Sequence, residues 1–120
     1  MNVAQMLAHC NVSYEMIFEN KHKKPNPLLR LLLKAFVKNK VVNEAPYPRN
    51  SLTSPQFKVT DSKNFEEEKN RLIAYITKTQ SLGAPYFDQR DYPSFGRLSV
   101  PEWNNMLYKH LDHHLNQFGV

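Results

Sequence analysis

The chain has 120 residues, 41% of them hydrophobic and 22% charged. That is room for one core and an ordinary balance for a globular protein, which excludes wholesale disorder and a fibrous structure. The net charge of +5 permits attraction to nucleic acid or anionic lipid, but the cations are scattered apart from "KHKK" (Lys21 to Lys24) and no nucleic-acid motif spacing is present, so a solvated basic loop is the reading and nucleic acid is not the expected partner.

In chain order, "NVAQMLAHCNVSYEMIFEN" opens with Asn2 as N-cap and Gln5 three residues on, the spacing of a capping box at the start of a helix. Cys10 in that helix is the chain's one cysteine. It excludes an internal disulfide, reads as a small buried apolar residue, and makes the cytoplasm the expected location; no secretion signal is visible at the N-terminus. Pro25 and Pro27 separate this helix from "LLRLLLKAFV" (Leu28 to Val37), which is apolar enough for a core helix. It is about half the length that crosses a bilayer and carries Arg30 and Lys34, so no membrane partner is expected.

Pro46, Pro48 and Pro55 make "NEAPYPRNSLTSPQF" an extended linker. "NFEEEKNRLIAYITKTQSLG" reads as a helix with acids in its first turn, Phe65, Leu72 and Ile76 on one stripe, and Gly83 as its stop. Pro85 and Pro93 bracket an aromatic loop, "APYFDQRDYPSFGRLS". The last helix, "SVPEWNNMLYKHLDHHLNQFG", has a capping box in Ser99 and Glu102, Pro101 in its first turn, and Gly119 at its end. The hydrophobic period is near 3.6 throughout, strand-like alternation is absent, and there is no internal repeat. The expectation is an all-α bundle forming a single domain over residues 1–120.

Three of the five histidines crowd into "YKHLDHHLNQ" (Tyr108 to Gln117). With Trp103 set at zero and about 100° per residue, Leu107 lies near 40°, His110 near −20° and His114 near +20°, so both imidazoles sit mid-stripe on the apolar face. On the same count His113 falls at the border of that face, near −80°, and Asp112 on the opposite side. A single inward histidine is more simply a core residue with a hydrogen-bond partner. A pair at i and i+4 has Cβ atoms roughly 5–6 Å apart and can converge on one ion, which would satisfy two desolvated rings at once.

A third ligand is required, and the remaining histidines are His22, in the basic loop, and His9, on the first helix one turn before Ser13. One histidine from one helix and two from another make a three-nitrogen site with open positions, the pattern of a catalytic metal. Cys10 leaves its helix about 100° away from His9 and is not expected to join. Gln117, one turn past His114, is either a partner for metal-bound water or an imidazole's second nitrogen, or a polar residue at a fraying end. Glu68 could approach from the third helix, although a first-turn glutamate more simply favours the helix dipole.

With His9, Trp103 and "YKHLDHHLNQFG" in view, the chain resembles the DinB/YfiT-like metalloprotein superfamily, most closely a bacterial branch known only as a domain of unknown function. "MNVAQMLAHCNVSYEM" looks like that family's second bundle helix and "FGRLSVPEWNNMLYKHLDHHLNQFG" like its last loop and helix. The resemblance implies an up-down four-helix bundle and a divalent ion, zinc, nickel, iron or manganese, held by His9, His110 and His114. Some relatives use the metal to activate a low-molecular-weight thiol for transfer or isomerisation.

Two features depart from the family's pattern. Tyr92 stands before Pro93 where relatives often have a histidine, and the usual first helix is missing, so either the chain starts internally or a partner chain completes the bundle. Self-association through apolar surface at Met6, Leu7 and Phe18 is then expected. Two functions follow as expectations: a metal-dependent thiol transferase acting on a small molecule, or a non-catalytic helical module that binds metal or partners.

Overall fold

A computed structural model describes residues 1–48 and 55–120; the middle of the proline-rich linker, 49–54, lies outside the described residues. Five helices and one two-stranded hairpin are present among the described residues. Helix α1 (Val3–Phe18) starts from the expected capping box: Asn2 Oδ1 accepts from the Gln5 amide at 2.8 Å and Gln5 Oε1 accepts from the Asn2 amide at 2.9 Å. Helix α2 (Pro27–Phe36) has Pro27 in its first turn, where no intrahelical donor is needed, and Asn26 as its cap. A short α3 (Lys38–Val42) follows almost without a break, and Pro55–Phe57 form one 3₁₀ turn.

Helix α4 (Phe65–Phe87) is capped by Asn64 and carries Glu66, Glu67 and Glu68 at its N-terminal, positive end. Gly83 does stop the regular helix: its φ of +66° with ψ −173° is a positive-φ, extended conformation that glycine tolerates. A further turn then resumes through Phe87, with Pro85 close to its start. Helix α5 (Val100–Gln117) begins from the Ser99–Glu102 capping box, and Gly119 leaves it at φ +78°.

The aromatic loop corrects the expectation of no strands. Residues Arg90–Tyr92 (β1) pair antiparallel with Gly96–Leu98 (β2), Tyr92 opposite Gly96 and Arg90 opposite Leu98. Three residues per strand are too few for period-2 alternation to be read, yet it operates here: Gly96 and Leu98 are buried and Arg97 is exposed. Tyr92 packs edge-on to Trp103, with ring centroids 5.6 Å apart, and Phe95 joins the same cluster.

Contacts set the helix directions. Along α1, Asn11 meets Glu68, Glu15 meets Arg71, Tyr14 stacks on Tyr75 and Phe18 touches Phe87, so α1 and α4 run parallel. His9 meets His114 and Ser13 meets His110, so α5 runs against both. Helices α2 and α3 lie between α1 and α4 in the chain.

The core has two parts. Val12, Met16, Phe87, Leu98, Trp103 and Met106 fill one, and Met6, Leu7, Cys10, Tyr14 and Leu72 the other. Met6 and Leu7, expected at an exposed face awaiting a partner, are thus covered by the chain's own helices, with Phe18 half-buried. Cys10 is fully buried, as expected. Of the α4 stripe only Leu72 is buried, while Phe65 and Ile76 are exposed.

The expectation that α2 is a core helix is also overturned. None of its residues is buried, because it packs chiefly on α3 and reaches the core with Leu33 alone.

Candidate metal centre

His9, His110 and His114 come together where α1 crosses α5, His9 and His114 buried and His110 half-buried. His9 Nε2 lies 2.8 Å from His114 Nε2 and 3.0 Å from His110 Nε2. One ligating nitrogen from each ring falls within 4.8 Å of the others. The i, i+4 spacing on α5 supplies two rings with centroids 4.8 Å apart, and the antiparallel crossing of α1 delivers the third between them.

The outer nitrogens are engaged as well. His9 Nδ1 is 2.7 Å from the Phe57 carbonyl, His110 Nδ1 is 2.9 Å from Ser13 Oγ, and His114 Nδ1 is 2.9 Å from Gln117 Oε1. A carbonyl only accepts, so His9 carries its proton on Nδ1 and presents a lone pair at Nε2. The Gln117 amide is oriented by donating its nitrogen toward His113 Nε2 at 3.3 Å, so it accepts from His114 Nδ1 and leaves Nε2 of His114 deprotonated too. The Ser13 hydroxyl can donate or accept and leaves His110 free to do the same.

Two lone pairs thus face each other at 2.8 Å across the His9–His114 contact, with no proton assigned between them. Protonating a ring would relieve this, but burial opposes it. Burial lowers the pKa of His9, against the opposing effect of the Phe57 carbonyl, and burial with the neighbouring rings lowers that of His110 well below its ordinary value. For His114 burial outweighs the Gln117 hydrogen bond and brings the pKa to about 4. At neutral pH the trio is three neutral imidazoles, the form that binds cations.

A divalent cation fits this donor set. Two nitrogens each about 2.0–2.1 Å from one ion are about 3 Å apart when they subtend a right angle there, and outward Nδ1 groups held by carbonyl, hydroxyl and amide are the usual support for ligating histidines. The three histidines could hold a metal ion.

Residues 1–119 match the family model described as Protein of unknown function (DUF1569). The chain belongs to the DUF1569 family. No curated protein and no solved structure matches it.

In this DUF1569 protein the other polar residues singled out from the sequence are placed elsewhere. His22 lies on Glu15 at 2.8 Å, far along α1 from His9, and His113 is turned to Gln117 and to the edge of Tyr47. Cys10 points toward Met6 Sδ at 3.8 Å and is not among the converging groups. Glu68 accepts from Asn11 Nδ2 at 2.9 Å and from Arg71, an α1–α4 clamp rather than part of the trio. Beside it Glu15 is buried; desolvation would raise its pKa, but hydrogen bonds from His22, Arg71 and Lys21 together hold it below its ordinary value.

Sequence reasoning missed two contributors. The Phe57 carbonyl has no side-chain signature and sits 48 residues from its partner. Lys109 is buried, donating to the Lys40 carbonyl at 2.8 Å and Asn43 Oδ1 at 3.0 Å. Lys109, Tyr47, His113 and Gln117 line an open pocket of about 800 Å³, and Gln117 joins it to His114 by a hydrogen bond.

Proposed function

We propose that this DUF1569 protein binds a divalent metal ion, zinc, nickel, iron or manganese, through His9, His110 and His114, and that it is a DinB-like, four-helix-type metalloprotein forming one domain over residues 1–120. The observation that carries the reading is the convergence of three Nε2 atoms, two of them lone pairs 2.8 Å apart, with every Nδ1 engaged outward. Neutral imidazoles in that arrangement repel one another unless a cation lies between them.

The activity that suits such a site is transfer of a low-molecular-weight thiol in the cytoplasm. A bound divalent cation supplies the chemistry by lowering the pKa of a coordinated thiol, so that thiolate is available near neutral pH. The chain's own residues orient the three rings, Phe57 through its carbonyl, Ser13 through its hydroxyl and Gln117 through its amide, and the carbonyl and amide fix the tautomers of His9 and His114.

A second reading, a non-catalytic metal-binding module, is favoured by one observation: the buried carboxylates Glu15 and Glu68 are spent on Arg71, and among the described residues no acid joins the trio to move a proton. Elemental analysis of protein purified without an affinity tag tests the shared premise, with about one divalent ion per chain expected, lost in His9→Ala and His114→Ala. Metal-free protein from metal-replete cells that also fails to take up zinc, nickel, iron or manganese on titration would end both readings. Turnover of small thiols by the loaded protein then separates transferase from module.

A further inference from the structure

Helix α2 turns outward the face that its composition would place inside. Leu28, Leu31 and Phe36 are 69%, 62% and 72% exposed, and Leu29 and Leu32 are exposed beside them. The charged side turns inward instead: Arg30 pairs with Asp91 of β1, and Arg30 and Lys34 both approach the backbone at Gly96. An apolar ridge of this kind on a folded chain marks an interaction surface.

The stretch of chain that carries the ridge has charge of one sign. Between Asn20 and Asn43 there are seven lysines and arginines and no aspartate or glutamate, so this stretch carries +7 where the whole chain carries +5. Three of the seven are paired with acids from elsewhere: Lys21 with Glu15, Arg30 with Asp91 and Lys38 with Glu102. Lys23, Lys24, Lys34 and Lys40 remain exposed with no ion pair among the described residues. Lys23, Lys24 and Lys40 thus flank the leucine-rich ridge along the chain, while Lys34 lies on the opposite, β2-facing side of α2.

This charge selects the occupant. A second copy placed ridge to ridge would bring cations against cations, and nucleic acid would match the charge but has no use for exposed leucines and a phenylalanine. An anionic lipid surface uses both, taking the apolar face of a basic amphipathic helix into the boundary between headgroups and acyl chains while the lysines stay among the headgroups.

We propose that α2 and its flanking lysines form a docking surface for anionic lipid bilayers, with Leu28, Leu31, Leu32 and Phe36 as the inserting residues. This departs from the expectation of no membrane partner, which rested on the length needed to span; α2 has ten residues and lies on the surface instead. The ridge shares no residue with the histidine trio, so it stands or falls independently of metal binding.

The test is flotation of the full chain with vesicles of phosphatidylcholine alone or of phosphatidylcholine mixed with phosphatidylserine, at low and high salt. The chain should float with the phosphatidylserine vesicles only, and salt should release it. Leu31→Glu with Phe36→Glu, at exposed positions where circular dichroism and melting should not change, should abolish flotation. Lys23→Glu with Lys24→Glu, in the loop before α2, should weaken it by an order of magnitude or more, since each cation near an anionic surface changes binding about fivefold.

No flotation with phosphatidylserine vesicles at low salt would overturn the proposal, as would flotation undiminished by the Leu31/Phe36 changes. Light scattering that shows a dimer dissolved by those same changes would also overturn it, and would assign the ridge to a second copy.

Discussion

Gln117 is exposed at the last turn of α5, yet its amide spans two imidazoles, accepting from His114 Nδ1 and reaching His113 with its nitrogen. Removing such an outer partner weakens metal binding without removing a ligand. Gln117→Ala is therefore expected to lower metal affinity about 10- to 100-fold in a chelator competition, with the helical spectrum unchanged. An unaltered affinity would mean that the ring is oriented by packing alone.

The trio also makes the metal-free protein sensitive to acid. His114 takes up a proton near 6.5 when the chain is unfolded and near 4 when it is folded. Between those values the unfolded chain holds more protons, so stability is complete above about pH 6.5 and declines as the pH falls to 4. Urea midpoints of apoprotein across this range should show the decline, and His114→Ala should flatten it. At this scale the sequence was informative about side chains and silent about backbone: the 100° count places His110 and His114 on one face, but nothing in a string of letters marks the Phe57 carbonyl as the partner of His9.

At the scale of elements, α5 matters most because it carries two of the three rings, and its start is set locally. Ser99→Ala removes a capping side chain and should cost about 1 kcal/mol in denaturant unfolding. Gly83→Ala tests the kink in α4: a Cβ there meets only Pro85 Cδ at 3.8 Å, so the cost is conformational and about 1–3 kcal/mol, set by φ +66° with ψ −173°, a region essentially restricted to glycine. A neutral result would mean that Gly83 adopts a right-handed conformation in solution. The caps at Asn2 and Ser99 were legible because a cap involves residues three apart. The hairpin at Arg90–Leu98 was not, since its three-residue strands are held by Trp103 and the core rather than by any pattern of their own. Helix α2 misled for the opposite reason: its leucines are strong evidence of burial only when a neighbour exists to cover them.

For the whole molecule, the metal proposal separates two sources of stability. Apolar packing in the two clusters specifies the fold, so His114→Ala should leave a folded helical protein that no longer responds to chelator. The wild type should melt lower when chelator is added, because a ligand bound only by the folded state stabilises it, by about 4 kcal/mol at a free concentration a thousandfold above Kd. A wild-type melting curve untouched by chelator, together with a sharp fall in His114→Ala, would instead make the trio a structural polar cluster whose broken hydrogen bonds cost about 1–3 kcal/mol each.

By itself the sequence determined the helical class, the helix starts, and the shared face of His110 and His114. Each of these depends on residues within a turn or two of one another, where backbone geometry converts spacing directly into position. Only the tertiary structure decided that α1 runs parallel to α4 and against α5, which brings His9 within 3.0 Å of both rings, and that the leucines of α2 are left facing outward. Those outcomes depend on contacts between elements far apart in the chain and on which surfaces find cover, quantities that no local period encodes.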